Sequence, residues 1–357
     1  MKYKNIIIAS SGTGGHIYPG IALAKEFAKN GYNPIFFITN NEISIEILRN
    51  NGFKYILFNL SGMPRKISFS FWVFLSRLFL SFLKALKNIA ILKPVFVIGT
   101  GGYISVPALV AAKILKNKTF IHEQNTIPGK ANIVLNKIVD KTFISFEYSR
   151  KYFKNANIVF SGYPVREEIL HASKTKALEN LDIENDIFTI LVFGGSLGAV
   201  KLNEVACKSL LDLSKSKQVQ AIHITGYKSY SNILKLVELN KNYQVFKYMH
   251  NISDAYAVSD VAICRCGAGT VFEIKALNKP AVFVPYPYAT DNHQYWNAKE
   301  VEEDNKFILI EEKDLTEKKL KETIEILLSN PKKSGDICFS KLPQTLIFKE
   351  IIQCIKS

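Results

Sequence analysis

The sequence predicts an α/β fold: two Rossmann-like domains facing a cleft, each a parallel sheet with helices on both faces. Three observations carry this. Short apolar runs alternate with helical segments, a βαβ series that implies parallel strands. The series restarts near the middle, because apolar strand, glycine loop and helix follow one another twice, from Asn5 and again from Ile187. The length, 357 residues, exceeds one comfortable core and suits two domains.

In the first half, strands are expected at Asn5–Ala9, Pro34–Thr39, Val95–Ile98, Thr119–His122, Lys141–Ser145 and Ile158–Phe160. Helices such as Gly20–Asn30 and Ser105–Leu115 fall between them. In the second half, the Ile187 strand is followed by strands at Val219–Thr225, Gln244–Phe246, Asp260–Cys264, Pro280–Val284 and Phe307–Ile310. The turn-prone Gly162-Tyr163-Pro164 marks the joint, so the domains are expected at 1–162 and 163–340. The amphipathic segment Gln344–Ile355 reads as a helix, and the tail 341–357 is expected to return to the first domain.

Hydrophobic residues make up 48% of the chain and charged ones 22%, the balance of a globular protein rather than a disordered one. The five cysteines are scattered and odd in number. No signal peptide is read before the first strand, and a reducing cytoplasm is the expected compartment. Cys264-Arg265-Cys266 lacks zinc-pair spacing, and no Asp-x-Asp occurs. No motif asks for a metal or other cofactor.

The net charge is +15, unevenly spread. Between Glu46 and Glu123 there is no acid and there are eleven cations. Such a field attracts an anionic partner: nucleic acid, an acidic membrane or a phosphorylated substrate. Within it lies Ser68–Asn88, rich in Phe, Trp and Leu. Arg77 interrupts the run, so no unbroken apolar stretch reaches the length of a membrane span. As a helix it places Ser70, Arg77, Ser81, Lys84 and Asn88 on one polar face, with a wide apolar arc elsewhere. It lies either in a membrane interface or between neighbouring elements.

Ligands of open α/β sheets bind where strands end. The first such loop, Ser10–Gly20, lacks the third glycine of the dinucleotide fingerprint, because position 17 is Ile17, and the later acid is missing. It also lacks the Lys-Ser/Thr of a P-loop. It still offers backbone N–H groups to an anion, and His16 is either a general base or a helix cap. A second loop, Gly99–Tyr103, either clamps a pyrophosphate with the first or packs tightly. His122-Glu123-Gln124-Asn125 is a dense polar cluster suited to sugar hydroxyls, with Glu123 alternatively structural.

In the second half, Gly194-Gly195-Ser196-Leu197-Gly198 is the better nucleotide-phosphate candidate, since Ser196 adds a hydroxyl. Glu273, expected in the first turn of the helix after Cys264–Gly267, accepts from a ribose diol or caps the helix dipole. Asp291, Asn292, His293 and Gln294 form a hydroxyl-binding set. Arg166 supplies a cation for a leaving diphosphate.

Taken in order from the first strand to about Ala298, these residues resemble the MurG family of GT-B glycosyltransferases. The matching stretches are Ser11–His16, Gly101–Tyr103, His122–Asn125, Gly162–Arg166, Gly194–Gly198, Arg265–Ala268 with Thr270 and Glu273, and Gln294–Ala298. The resemblance implies an inverting transfer of N-acetylglucosamine from UDP-GlcNAc to the 4-hydroxyl of the muramyl sugar in undecaprenyl-pyrophosphoryl-MurNAc-pentapeptide (lipid I), giving lipid II for peptidoglycan. It implies an acceptor- and membrane-binding first domain and a UDP-GlcNAc-binding second domain.

Residue by residue, the resemblance implies donor contacts at Thr13, Gly14, Gly15, Asn125, Arg166, Ser196, Met249, Ala268, Gly269, Thr270, Glu273 and Gln294. It sets Gly14, Gly15, Gly101, Gly102 and Tyr103 toward the acceptor pyrophosphate, with His16 the candidate base. Ser11, Tyr163, Met249, Cys266, Gly269 and Phe272 depart from the residues usual in the family. The acid-free stretch then becomes a docking face for an anionic membrane, through Phe69, Trp72, Phe74, Arg65, Lys66, Lys84 and Lys87. That places the protein peripherally on the cytoplasmic face of the bacterial inner membrane, with other cell-wall synthesis proteins as possible partners. Rival readings are another GT-B lipid-linked glycosyltransferase, a UDP-GlcNAc epimerase, and a basic nucleic-acid binder. The last is disfavoured because no nucleic-acid module is present.

Overall fold

The computed structural model describes residues 4–11, 14–64, 69–195, 199–215, 219–329 and 342–356. Thr13, Arg65, Lys66 and Ser196 lie outside the described residues. The chain divides into two compact units: Met1–Arg166 with Ser340–Ser357, and Glu167–Phe339.

The first unit runs β1 (Lys4–Ser10), α1 (Gly14–Lys29), β2 (Tyr32–Thr39), α2 (Glu42–Asn50), β3 (Lys54–Phe58), α3 (Phe69–Leu92), β4 (Phe96–Gly99), α4 (Ser105–Ile114), β5 (Lys118–Glu123), α5 (Lys130–Leu135), β6 (Lys141–Ile144) and β7 (Ile158–Phe160). Its seven strands are parallel in the order β3-β2-β1-β4-β5-β6-β7. Side chains alternate across a strand, so both faces of β1 must be apolar for a buried parallel sheet. Ile6 and Ile8 enter one core with Phe27, Phe96 and Phe120. Ile7 and Ala9 enter the other with Val97, Ala108 and Ile121.

β3 is a strand that the sequence reading missed. It pairs at the sheet edge with β2, and only Phe58 of its five residues is buried. An edge strand with one buried side chain leaves almost no periodic signal.

The second unit runs α6 (Glu167–Leu170), α7 (Lys174–Leu181), β8 (Phe188–Phe193), α8 (Val200–Lys215), β9 (Val219–Ile224), α9 (Tyr230–Val237), β10 (Tyr243–Phe246), α10 (Ile252–Val258), β11 (Val261–Cys264), α11 (Ala268–Ala276), β12 (Ala281–Phe283), α12 (His293–Lys299), β13 (Phe307–Leu309) and α13 (Glu317–Ser329). Its six strands are parallel, in the order β10-β9-β8-β11-β12-β13.

The last helix, α14 (Pro343–Lys356), packs in the first unit. Ile347 and Ile351 are fully buried in the core that holds Phe27 and Phe96. The Phe348 ring lies 5.1 Å from that of Phe27, Lys141 Nζ meets Glu350 at 2.7 Å, and Gln344 Nε2 donates to the Val165 carbonyl at 3.2 Å.

Helix α3 corrects two expectations. Its inward seam is Phe74, Ser81, Ala85 and Ile89, so Ser81 does not belong to a polar outer face. A small residue there lets the helix pack closely on the body. Phe74, grouped above with the membrane-facing residues, is 4% exposed, and its ring packs edge-on against Tyr103 at 5.6 Å. The outward side carries large apolar side chains among exposed Arg77, Lys84 and Lys87: Phe69 is 84% exposed and Trp72 64%, with Phe79, Leu80, Leu83 and Ile91 beyond them. By length and composition this helix is apolar enough to cross a membrane, but its seam packs on the body of the unit.

Candidate active site

In both sheets the chain order reverses between two neighbouring strands. The reversal falls between β1 and β4 in the first unit and between β8 and β11 in the second. In open α/β sheets, ligands bind outside the carboxyl ends of the strands at this reversal. Parallel strands bring all those loops to one edge of each sheet.

At the first edge, α1 starts at Gly14 rather than Gly20. Glycines and Pro19 hid its first turns from a propensity reading. His16 therefore sits in the opening turn of the helix. Thr100 Oγ1, following β4, donates to the His16 carbonyl at 3.0 Å. Gly101 takes φ +112 and Gly102 φ +79, a backbone region that favours glycine. A Cβ on Gly101 would stand 2.4 Å from His16 Nδ1, and one on Gly102 1.6 Å from Ser11 Oγ. The two glycines thus hold the loop after β4 against the loop after β1. Gly20 serves the close helix–strand packing that the dinucleotide fingerprint assigns to its third glycine: a Cβ there would meet Phe36 at 3.2 Å.

Around His16 the polar cluster is ordered layer by layer. His16 Nδ1 lies 3.1 Å from Gln124 Oε1. Gln124 Nε2 faces the Thr100 carbonyl at 2.7 Å, His122 Nδ1 at 3.0 Å and the His122 carbonyl at 3.1 Å. His122 Nε2 reaches the Gly162 carbonyl at 3.2 Å. His122 is fully buried, and burial drives its pKa down to about 4, so its ring is neutral near pH 7. Glu123 proves to be a loop anchor. It accepts from the backbone of Asn125 at 2.9 Å and Gly129 at 3.0 Å, and from Asn132 Nδ2 at 2.8 Å. Burial raises its pKa against the pull of these donors. This anchoring shapes the turn that carries Gln124 and half-buried Asn125.

Arg166 belongs to the first unit. Its guanidinium stacks on the Tyr18 ring at 4.3 Å, within the first turns of α1. Tyr18 was not singled out in the sequence, since an aromatic at that helical position reads equally well as core.

At the second edge, Gly195 takes φ +85 after β8. Gly267 caps α11, placing Ala268, Gly269 and Thr270 in its first turn. Glu273 falls in the second turn rather than the first. It is buried, and Tyr256 Oη donates to its Oε2 at 3.2 Å. Met249 is half-buried in the loop between β10 and α10.

The row Asp291–Gln294 does not act as one set. Asp291 and Asn292 make a left-handed turn, each at φ +52. His293 Nδ1 lies 2.8 Å from the Thr290 carbonyl. Of the four, Gln294 bridges the loops after β11 and β12: its Oε1 accepts from the backbone N–H groups of Cys266 at 3.3 Å and Tyr286 at 3.0 Å. With the oxygen engaged by two donors, the NH2 is the end of the Gln294 amide left to donate.

Arg265, which sequence reasoning used only as a motif letter, locks this edge. It is buried, pairs with Glu312, and donates to the carbonyls of Val284 at 3.2 Å and Pro285 at 2.9 Å. Cys264 and Cys266 are buried, and desolvation holds both thiols well above their usual pKa. Among the described residues, no group of three or more His, Cys, Asp or Glu is arranged to hold a metal ion.

The chain matches models of known families over both units. Residues 6–144 match the glycosyltransferase family 28 N-terminal domain, and residues 189–352 match its C-terminal domain. Fold and sequence thus define a family 28 glycosyltransferase. A UDP-N-acetylglucosamine--N-acetylmuramyl-(pentapeptide) pyrophosphoryl-undecaprenol N-acetylglucosamine transferase from Caldanaerobacter subterraneus subsp. tengcongensis is 40% identical over 339 residues, covering 93% of this chain and 92% of the relative. An enzyme of the same name from Desulforamulus reducens is 35% identical over 364 residues, covering 98% and 97%. The crystal structure of Acinetobacter baumannii MurG superposes with a TM-score of 0.75 at 26% identity, covering 98% of this chain and 99% of that one. The chain belongs to the MurG family, the N-acetylglucosaminyltransferases that bear this name.

Proposed function

We propose that the protein transfers N-acetylglucosamine from UDP-GlcNAc to the 4-hydroxyl of the muramyl sugar of lipid I, forming lipid II with inversion at the sugar carbon. The observation that carries this is near full-length similarity to transferases of that name, 40% over 339 residues in one of them.

The residues at the two sheet edges suit the two substrates. Gly14, Gly15 and His16 open α1, where backbone N–H groups and the helix dipole favour an anion such as the acceptor pyrophosphate. Gly101, Gly102 and Tyr103 line the adjoining loop, and Asn125 offers an amide to sugar hydroxyls. In the second unit, Met249 is assigned to the uracil, Glu273 to the ribose, and Gln294 to the N-acetylglucosamine hydroxyls. The N-terminus of α11 at Ala268–Thr270 is assigned to the nucleoside diphosphate, along with Ser196, which comes after β8 in the sequence. Thr13 is assigned to the donor sugar, and Arg166 supplies the cation for the leaving diphosphate.

The step balances simply. The acceptor O4–H bond breaks, and its proton passes to His16. O4 bonds to the sugar C1 as the C1–O bond to diphosphate breaks, and UDP leaves with that electron pair. One displacement inverts the configuration, so no covalent enzyme intermediate is needed.

The membrane reading follows from α3. Phe69 and Trp72 project outward beside a stretch with eleven cations and no acid, a combination that suits peripheral binding to an anionic inner-membrane surface on the cytoplasmic side. Lys87 is exposed there, whereas Lys84 also donates to the Leu57 carbonyl at 2.7 Å. Radiolabelled transfer from UDP-GlcNAc to lipid I by the wild type and by His16→Ala tests the assignment. Lipid II from the wild type and a large loss in the variant are expected; wild-type rates from His16→Ala would remove the base.

A further inference from the structure

The network around His16 leaves little freedom in where its protons sit. Gln124 Nε2 stands 2.7 Å from the Thr100 carbonyl and 3.1 Å from the His122 carbonyl. Carbonyl oxygens only accept, so this end of the amide must be the NH2, and the reverse flip would set oxygen against oxygen. His122 fits the same orientation. Its Nε2 lies 3.2 Å from both the Gly162 carbonyl, which only accepts, and the Ser145 hydroxyl, which can accept as well; with an NH2 facing Nδ1, the ring proton sits on Nε2. Its Nδ1 therefore accepts from Gln124 Nε2 at 3.0 Å.

The outer end of the Gln124 amide is then an oxygen, 3.1 Å from His16 Nδ1. Only a protonated Nδ1 makes a hydrogen bond with it. In the neutral ring the lone pair then belongs to Nε2. We propose that Gln124 is a positioning residue: it selects the Nδ1–H tautomer of His16 and so makes Nε2 the nitrogen that takes the acceptor proton. The proposal rests on His16 as the base in the transfer step. When the ring becomes an imidazolium, the same oxygen receives a stronger, charge-assisted bond, so the orientation that selects the tautomer also favours the protonated product of the step. The relay is built into the sheet. Thr100 follows β4 and Gln124 follows β5, strands paired in the sheet, and Gly101 leaves room for the imidazole between them.

The test reads the ring directly. In protein labelled with 15N-histidine, the long-range proton–nitrogen spectrum of the neutral His16 ring distinguishes a protonated Nδ1 from a bare one; the His16→Ala spectrum identifies the signal. The wild type is expected to show Nδ1–H, and Gln124→Leu to move the ring toward Nε2–H. In transfer assays Gln124→Leu is expected to lower kcat roughly 10²-fold, within the range ascribed to general-base catalysis, with KM for UDP-GlcNAc unchanged and with no further loss in a His16→Ala background.

A bare Nδ1 in active wild-type enzyme overturns the proposal. So does an equal loss from Gln124→Leu whether or not His16 is present, because that is the mark of a merely structural role. The two failures read apart: near wild-type transfer by His16→Ala overturns the base assignment, while the ring spectrum still reports on Gln124.

Discussion

Phe74 packs edge-on beneath Tyr103, with 5.6 Å between ring centres, and so joins the aromatic helix α3 to the glycine loop after β4. One face of the helix supports the candidate acceptor loop while the opposite face presents Phe69 and Trp72 to solvent. Truncating Phe74 to Ala is expected to destabilise the first unit by about 3–5 kcal/mol, the usual range for a buried Phe, and to raise KM for lipid I more than KM for UDP-GlcNAc. Thermal unfolding and steady-state kinetics check both. Equal increases in the two KM values would separate the loop from acceptor binding.

The outward face should behave in the opposite way. Trp72→Ala and Phe69→Ala remove exposed side chains, so unfolding should shift within about 0.5 kcal/mol. Binding to anionic vesicles should weaken, as it should when charge is removed at Arg65, Lys66 and Lys87, with UDP-GlcNAc affinity unchanged throughout. Lys84 belongs to a separate class because its ammonium also holds the Leu57 carbonyl. Vesicle co-sedimentation decides, and unchanged binding by the combined variant contradicts the membrane reading.

Gln294 should act as a donor. Its Oε1 is held by the Tyr286 and Cys266 N–H groups, so Gln294→Glu keeps those bonds but presents an acceptor where an NH2 stood. Titration calorimetry is expected to show UDP-GlcNAc affinity reduced about tenfold or more, the worth of one good hydrogen bond, with UDP affinity preserved. A parallel loss for UDP would mean that the substitution disturbs the loop rather than sugar recognition.

Stability should fall in mild acid. Burial lowers His122 to about 4 and His223 to about 3. Unfolded, these rings take up protons below about pH 6.5 that the folded units refuse. Their contribution is therefore complete above pH 6.5 and is lost as pH falls, down to about 4 for the first and about 3 for the second. At about 1.4 kcal/mol per pKa unit, His122 alone accounts for roughly 3 kcal/mol. His223 is locked by Tyr243 Oη at 2.9 Å and Asn203 Oδ1 at 3.1 Å, so each unit carries one such ring. Denaturant unfolding followed from neutral to acid pH should show this loss; a flat profile would contradict the buried neutral assignment.

Much of the architecture was legible because its signals are local. The apolar runs around Ile6–Ala9 and Ile190–Val192 are strands buried on both faces, and the glycines that follow them mark the strand ends. What escaped the sequence depends on distant neighbours. β3 leaves one buried residue at an edge, and α1 starts through glycines because Thr100 supports its first turn from another strand. Phe74 and Trp72 look alike in sequence, and only the packing of α3 tells the inward ring from the outward one. At the candidate site the polar residues could be named, but their bonds could not. Gln124 gains its orientation from Thr100 and His122, and Gln294 from Cys266 and Tyr286, through pairings that exist only once the sheets form.

The most direct measurement is incubation of the protein with radiolabelled UDP-GlcNAc, with and without lipid I, followed by analysis of the product linkage. Label should enter lipid only when lipid I is present, with the configuration at the sugar carbon inverted and UDP released in equal amount. Conversion of UDP-GlcNAc without lipid I, or a lipid product with retained configuration, would contradict the assignment.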